Sequence, residues 1–292
     1  MRAIIGGGAT VAIVMLAALP AAAAARPTVV PSSAERSTTV PAGGARSLTL
    51  TCPADAVALH AAPVRLPSGV RVAASDPGRD VRRWSLRFAS VARRSRSVTA
   101  TLRCVRLQLP VGVSGVTLRV STTSRTKLRV PAGSSVQLPL RCAPGFIPAG
   151  QGVGAGTRAV SVSTAVPNGN GWVFRIENNG KSAATASARI RCLQRAVRGR
   201  RKGAITRLRF DVKHVAFSVP VRSGKSRSFT GSCAPDRFSL GTGISIDGTD
   251  DITLLRSFPL GSREGSWFLR NRGAAEPVRG YLLCLSRASR FG

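Results

Sequence analysis

The chain of 292 residues carries 44 Lys+Arg against 12 Asp+Glu, a formal net charge of +32, with 43% hydrophobic and 5% aromatic residues. Charged content is 19%, below the roughly 25% of ordinary domains, so the imbalance comes from missing acids as much as from abundant arginine. A GC-rich genome favours arginine but does not remove Asp and Glu; the deficit points to a polyanionic neighbour, and the scarcity of aromatics argues against base reading or single-strand stacking.

At the start of the chain, Arg2 precedes an apolar run over 3–19, then Pro20 and small residues ending Ala23-Ala24-Ala25. That order predicts a signal peptide over 1–25 with an A-x-A cleavage site before Arg26. The alternative is an uncleaved anchor, but the run is marginal in length, is broken by Gly6-Gly7-Gly8 and ends in small residues rather than flanking charge. No later stretch is long and apolar enough to span a bilayer, so the mature chain is expected to lack a transmembrane segment and to be secreted, extracellular or cell-wall associated. Without Arg2, 43 cations face 12 acids, and only five of the cations are lysines.

Six cysteines in an exported chain are read first as disulfides, and six allow 15 pairings. Spacing selects among them. Cys52, Cys104, Cys142, Cys192, Cys233 and Cys284 form three pairs whose members lie 52, 50 and 51 residues apart, repeated about every 90 residues. Val40-Pro41-Ala42-Gly43, Val130-Pro131-Ala132-Gly133 and Val221-Arg222-Ser223-Gly224 each begin 12 residues before a first cysteine. Each pair encloses one of the three tryptophans, Trp84, Trp172 and Trp267. This is an internal repeat.

Within each copy the alternation is that of strands. Leu48, Leu50 and Cys52 share a face opposite Ser47, Thr49 and Thr51; Trp172, Phe174 and Ile176 alternate likewise, as do Ala186, Ala188, Ile190 and Cys192. Cysteines and tryptophans are therefore expected to face the core. The stretch Glu177-Asn178-Asn179-Gly180 between Trp172 and Cys192 predicts a hairpin turn, repeated at Asn271-Arg272-Gly273 and lacking its glycine in the first copy. Helical periodicity is nearly absent after the signal. The expected fold is all-β: three tandem disulfide-stapled, β-sandwich-like modules at 26–112, 113–203 and 204–292, each about 90 residues.

Cys-Pro-Ala or Cys-Ala-Pro, then a Gly-rich stretch such as 150–156, then Gly171-Trp172, an asparagine turn and a terminal cysteine resembles a repeat of secreted, mostly uncharacterised proteins of high-GC Gram-positive bacteria. The match is clearest over 142–192, weaker over 233–284, and weakest over 52–104, which lacks the glycine cluster. The resemblance implies an exported β module and brings no catalytic residues. The Cys…Trp…Cys order is also similar to that of immunoglobulin domains, although the tryptophan there follows the first cysteine much sooner.

No catalytic, metal or cofactor site is expected. The histidines are His60 and His214, too few for a dedicated metal site, and oxidised cysteines offer neither thiolate nor zinc chemistry. Asp247-Gly248-Thr249-Asp250-Asp251 lacks full calcium-loop spacing, and Gly180-Lys181-Ser182 and Gly224-Lys225-Ser226 lack the first P-loop glycine. An enzyme would announce itself by a pocket lined by His60, His214 or the 247–251 turn.

Arginine, by contrast, recurs opposite the core phase. Arg87, Arg175 and Arg270 each lie three residues after a tryptophan; Arg103, Arg189, Arg191 and Arg279 are expected outward on the second-cysteine strands; Arg198, Arg200, Arg201 and Lys202 form a denser run. A cationic sheet face attracts polyanions by counterion release without reading sequence. The expected function is non-enzymatic binding to an anionic cell-envelope polymer or another extracellular polyanion: teichoic polymer, acidic polysaccharide or DNA without sequence preference. The alternative is a structural or protein-interaction repeat whose basic charge is incidental.

Overall fold

Alternating apolar positions demand two facing sheets, and each copy supplies them with six strands. The computed structural model describes residues 28–109, 111, 113–155, 157–201, 204–246, 252–260, 262–286 and 290–291, with backbone alone at 125–126, 199–201, 204–208, 252–260 and 290–291. The expected signal segment, Lys202 and the 247–251 turn lie outside the described residues.

The first module contains β1 (Thr28–Val40), β2 (Ala45–Thr51), β3 (Val57–Arg65), β4 (Val70–Asp76), β5 (Arg83–Ser90) and β6 (Arg96–Gln108), followed by the short β7 (Val113–Ser114). The second contains β8 (Val120–Val130), β9 (Ser134–Arg141), β10 (Phe146–Ala155), β11 (Val160–Asn168), β12 (Gly171–Asn178) and β13 (Ala184–Gln194), followed by β14 (Ala196–Arg201) and β15 (Ala204–Arg209). The third contains β16 (Val212–Val221), β17 (Ser226–Ser232), β18 (Arg237–Ile246), β19 (Ile252–Leu260), β20 (Glu264–Asn271) and β21 (Glu276–Ser286), with β22 (Arg290–Phe291) after it. No helix occurs among the described residues, so none there could cross a membrane.

One strand order serves all three. The first, sixth and third strands pair antiparallel (β1-β6-β3, β8-β13-β10, β16-β21-β18), and the second, fifth and fourth form the opposing layer (β2-β5-β4, β9-β12-β11, β17-β20-β19). Disulfides Cys52–Cys104, Cys142–Cys192 and Cys233–Cys284 join the two layers, with Cα–Cα distances of 5.7–5.8 Å. Trp84, Trp172 and Trp267 are buried beside them, as the alternation requires.

The expected Trp172-to-Cys192 hairpin does not form. β12 pairs with β9 and β11, whereas β13 pairs with β8 and β10, so the two strands face each other across the sandwich. Their connection is an arch between layers. Asn178 is buried at its root and donates from Nδ2 to the carbonyls of Val130, Pro131 and Ser182, while its Oδ1 accepts the Gly180 N–H. Asn271 repeats this with Val221, Ala274 and Gly273. In the first copy, Ser90 takes the position and its hydroxyl accepts the Ala92 N–H. The hairpins are instead β4–β5, β11–β12 and β19–β20, the tightest being β11–β12 between Asn168 and Gly171.

The modules close into a ring. β4 pairs with β10 and β11 with β18, each fusing two half-sandwiches into a six-stranded sheet, and β19 lies against β3. Third strands meet at the centre, where Val57, Leu59 and Val105 pack with Ile147, Ala149 and Leu193 and with Phe238, Leu240 and Leu285. The junctions gather separately into a small sheet ordered β22-β15-β14-β7.

This ring explains why the glycine cluster belongs to the second and third copies. A Cβ at Gly150 would overlap the Leu59 carbonyl, and one at Gly243 would sit 2.5 Å from the Ala165 carbonyl, so these strands approach the preceding module's backbone with no room for a side chain. Gly150→Ala is therefore expected to lower stability by about 3 kcal/mol, read as a fall in the urea midpoint. An unchanged midpoint would mean that the central approach is not tight.

Candidate functional site

Fusion of modules 1 and 2 into the sheet β2-β5-β4-β10-β13-β8 creates one continuous outer surface. Register sets Arg87 opposite Ala74, Ala74 opposite Gly154, and Gly154 opposite Ser187, so one row carries a cation beside three small residues. The result is a groove of about 370 Å³ with a floor of small side chains and Arg71, Arg87 and Lys127 along it. Its described lining contains no carboxylate.

Two backbone irregularities supply the second and third cations. A bulge between Val72 and Ala74 sets Arg71 opposite Ala89 on the same outer face as Arg87. Lys127 has φ 56°, a left-handed conformation unusual for a side-chain-bearing residue, in the irregular stretch of β8 facing Ala186–Ala188. Such strain concentrates at functional positions. In the adjacent row, Arg189 Nη1 lies 2.6 Å from Asp76 Oδ1 across Gly152, so Arg189 ties module 2 to module 1.

Among the other candidate cations, Arg175, Arg198, Arg270 and Arg279 are exposed on their strands. Arg175 spends part of its charge on Glu177, with Nε 3.3 Å from Oε1. The backbone of Arg200 and Arg201 runs in β14.

Arg103 and Arg191 are not outward. They are 5% and 0% exposed, because the face opposite the cysteines turns toward the ring centre rather than toward solvent. Arg191 crosses from module 2 into module 1 and donates to the carbonyls of Val81 at 2.8 Å, Ala58 at 3.3 Å and Pro77. Its guanidinium carbon stands 5.6 Å from the Trp84 ring centroid, a cation–π contact. Burial pushes Arg191 down to about 10, against the opposing pull of Asp80 and Asp76, and pushes Arg103 down to about 10, so both stay charged at neutral pH. The third copy places Leu283 where the others place these arginines, and Leu285 beyond the cysteine. Apolar residues on both sides of Cys284 are the signal that this second face is interior.

His60 occupies the position filled by Gly150 and Gly241 in the other copies. It is 4% exposed, meets the Trp84 ring edge-on at 5.9 Å, and lines a central cavity. Neither ring nitrogen has a hydrogen-bond partner among the described residues, and a pocket lined by His60 is the feature by which an enzyme is expected to announce itself. Burial first, and the Arg103 charge second, push its pKa down to about 4. His214 is exposed on β16, and no group of three potential metal ligands occurs among the described residues.

The His60 shift has a definite sign. The unfolded histidine, with a pKa near 6.5, takes up its proton before the folded one as pH falls. Stability is thus undiminished above about pH 6.5 and declines by roughly 3 kcal/mol as pH approaches 4. His60→Leu should flatten that part of the stability profile in urea titrations at pH 7, 5.5 and 4.5. Parallel profiles for the two proteins would contradict the buried, neutral imidazole.

No family model and no curated protein matches the chain.

Proposed function

We propose that the protein is an exported, non-enzymatic binding module of the cell envelope that holds an anionic polymer. The observation that carries this reading is the groove between modules 1 and 2, where Arg71, Arg87 and Lys127 converge with no carboxylate among the described lining residues. Three formed disulfides fit an oxidising compartment. Small floor residues leave room for a polymer strand, and separate cations spaced along a groove suit repeated phosphate or carboxylate charges better than a single point charge. The shortage of acids over the whole chain adds long-range attraction and speeds encounter. Teichoic polymers and acidic polysaccharides carry such repeated charges.

The test is binding of poly(glycerol phosphate) to wild-type protein and to Arg87→Gln/Lys127→Gln across a salt series. The double variant should bind about tenfold more weakly near physiological salt and show a log–log salt slope shallower by about two. Arg270→Gln, outside the groove, should lose much less. Equal losses from all three neutralised positions would mean diffuse charge rather than a groove.

A further inference from the structure

Between the modules lies a partly open cavity of about 520 Å³, lined from β3, β4, β5, β10, β11, β12 and β18, and therefore from all three modules. That volume lies in the range of small-molecule pockets. Most of its surface is apolar, with Leu66, Val70, Val72, Val153, Val162 and Ile244 on the walls. An ordinary gap between packed modules would stop there.

The same walls carry polar atoms without a hydrogen-bond partner from the protein. Both nitrogens of His60, Nε of Arg71 and Oγ of Ser163 are buried without hydrogen-bond partners. More than nine in ten buried polar groups in folded proteins are paired, so three such residues lining one cavity point to partners supplied from outside. Ser163 is the residue left out of the ladder where β11 bulges between Val162 and Thr164.

Charge sets the sign of the ligand. Arg71 and Arg158 both line the cavity, and burial first, with the Arg158 charge second, disfavours the charge on Arg71. The carboxylate on the described walls is Glu177, which Arg175 engages at 3.3 Å. Two mutually repelling guanidiniums with no acid of their own form a site for one anionic group. His60, neutral at pH 7, offers one donor and one acceptor and suits an uncharged polar atom better than a second negative charge.

We propose that this cavity binds an amphiphilic carboxylate, its anionic end held by Arg71 and Arg158 and its apolar body against the valine, leucine and isoleucine walls, within reach of His60 and Ser163. The site differs from the polymer groove, which shares only Arg71, Ala73 and Ala155 with it. Because Arg71 belongs to both, the two readings are separated at Arg158, which lines only the cavity, and at Arg87 and Lys127, which line only the groove.

The experiment is isothermal titration of the full mature chain with decanoate, 1-decanol and decylammonium at pH 7. Decanoate should bind saturably at one site, the alcohol at least tenfold more weakly, and the ammonium not at all. Arg158→Gln, which leaves the groove lining intact, should weaken decanoate at least fivefold, and Val162→Trp should abolish its binding by filling the cavity. Ser163→Leu provides a milder filling that should weaken binding even if the tryptophan variant does not fold, with circular dichroism and Tm reporting folding of each. Absence of saturable decanoate binding to wild type, equal binding of acid and alcohol, or full affinity in a folded Val162→Trp or Ser163→Leu protein would overturn the proposal.

Discussion

Arg191→Ala should lower the unfolding free energy by about 4 kcal/mol, a very large effect for one side chain on the surface of its own module. The guanidinium is wholly buried and supplies hydrogen bonds to the loop joining β4 and β5, at Pro77 and Val81, and to Ala58 in β3. Removing it strands those carbonyls away from water and opens a void beneath Trp84. Lysine is a poor replacement because a single ammonium cannot reach carbonyls spread around a planar fork, so Arg191→Lys should recover less than half the loss. Asp76 keeps Arg189 at 2.6 Å and Asp80 keeps Arg83 at 3.2 Å, so the loss falls on the stranded carbonyls rather than on the acids. Urea unfolding checks this, and an alanine variant within 1 kcal/mol of wild type would show that the loop contacts carry little of the docking energy.

Cys142→Ala/Cys192→Ala should cost a similar amount. The bridge closes a loop with a sequence separation of 50, for which the chain-entropy estimate gives about 4 kcal/mol. Its consequences should exceed those of breaking Cys52–Cys104, because module 2 contributes β10 to the sheet shared with module 1 and β11 to the sheet shared with module 3. Loosening the middle sandwich thus loosens both fused sheets. The expected result is loss of cooperative unfolding at 37 °C by calorimetry for the module 2 variant, with the module 1 variant retaining a transition at reduced Tm. Equal behaviour of the two would mean that the modules fold without leaning on one another.

Much of this architecture was legible because its determinants are local and repeated. Cysteine spacing, one tryptophan per copy and the alternation around both specify a two-layer strand module and its staple. What escaped was which layer each strand joins. Asn178 and Gly180 read as a hairpin turn from their neighbours alone; only the distant carbonyls of Val130 and Pro131, bound by the buried asparagine, make the turn an arch. Phase likewise says that Arg103 and Arg191 oppose the cysteines, but not that three modules would close on that face.

The proposed binding surfaces were harder still to see. Arg87 was visible as an outward strand residue, yet Arg71 and Lys127 depend on bulges that alternation cannot place, and they come together with it only across the module 1–2 junction. His60 stands where the other copies carry Gly150 and Gly241, and nothing in its sequence neighbours marks it. In the ring it becomes a buried imidazole on a cavity shared by strands nearly 200 residues apart in sequence, since Ile244 lines the same walls.

The most direct measurement of the central claim is retention of mature protein on purified cell walls, with and without their anionic polymers, across a salt series. Retention that requires the polymer and falls linearly and steeply on a log–log salt plot is the predicted result. Retention indifferent to both polymer and salt would contradict it and assign the basic surface no part in binding.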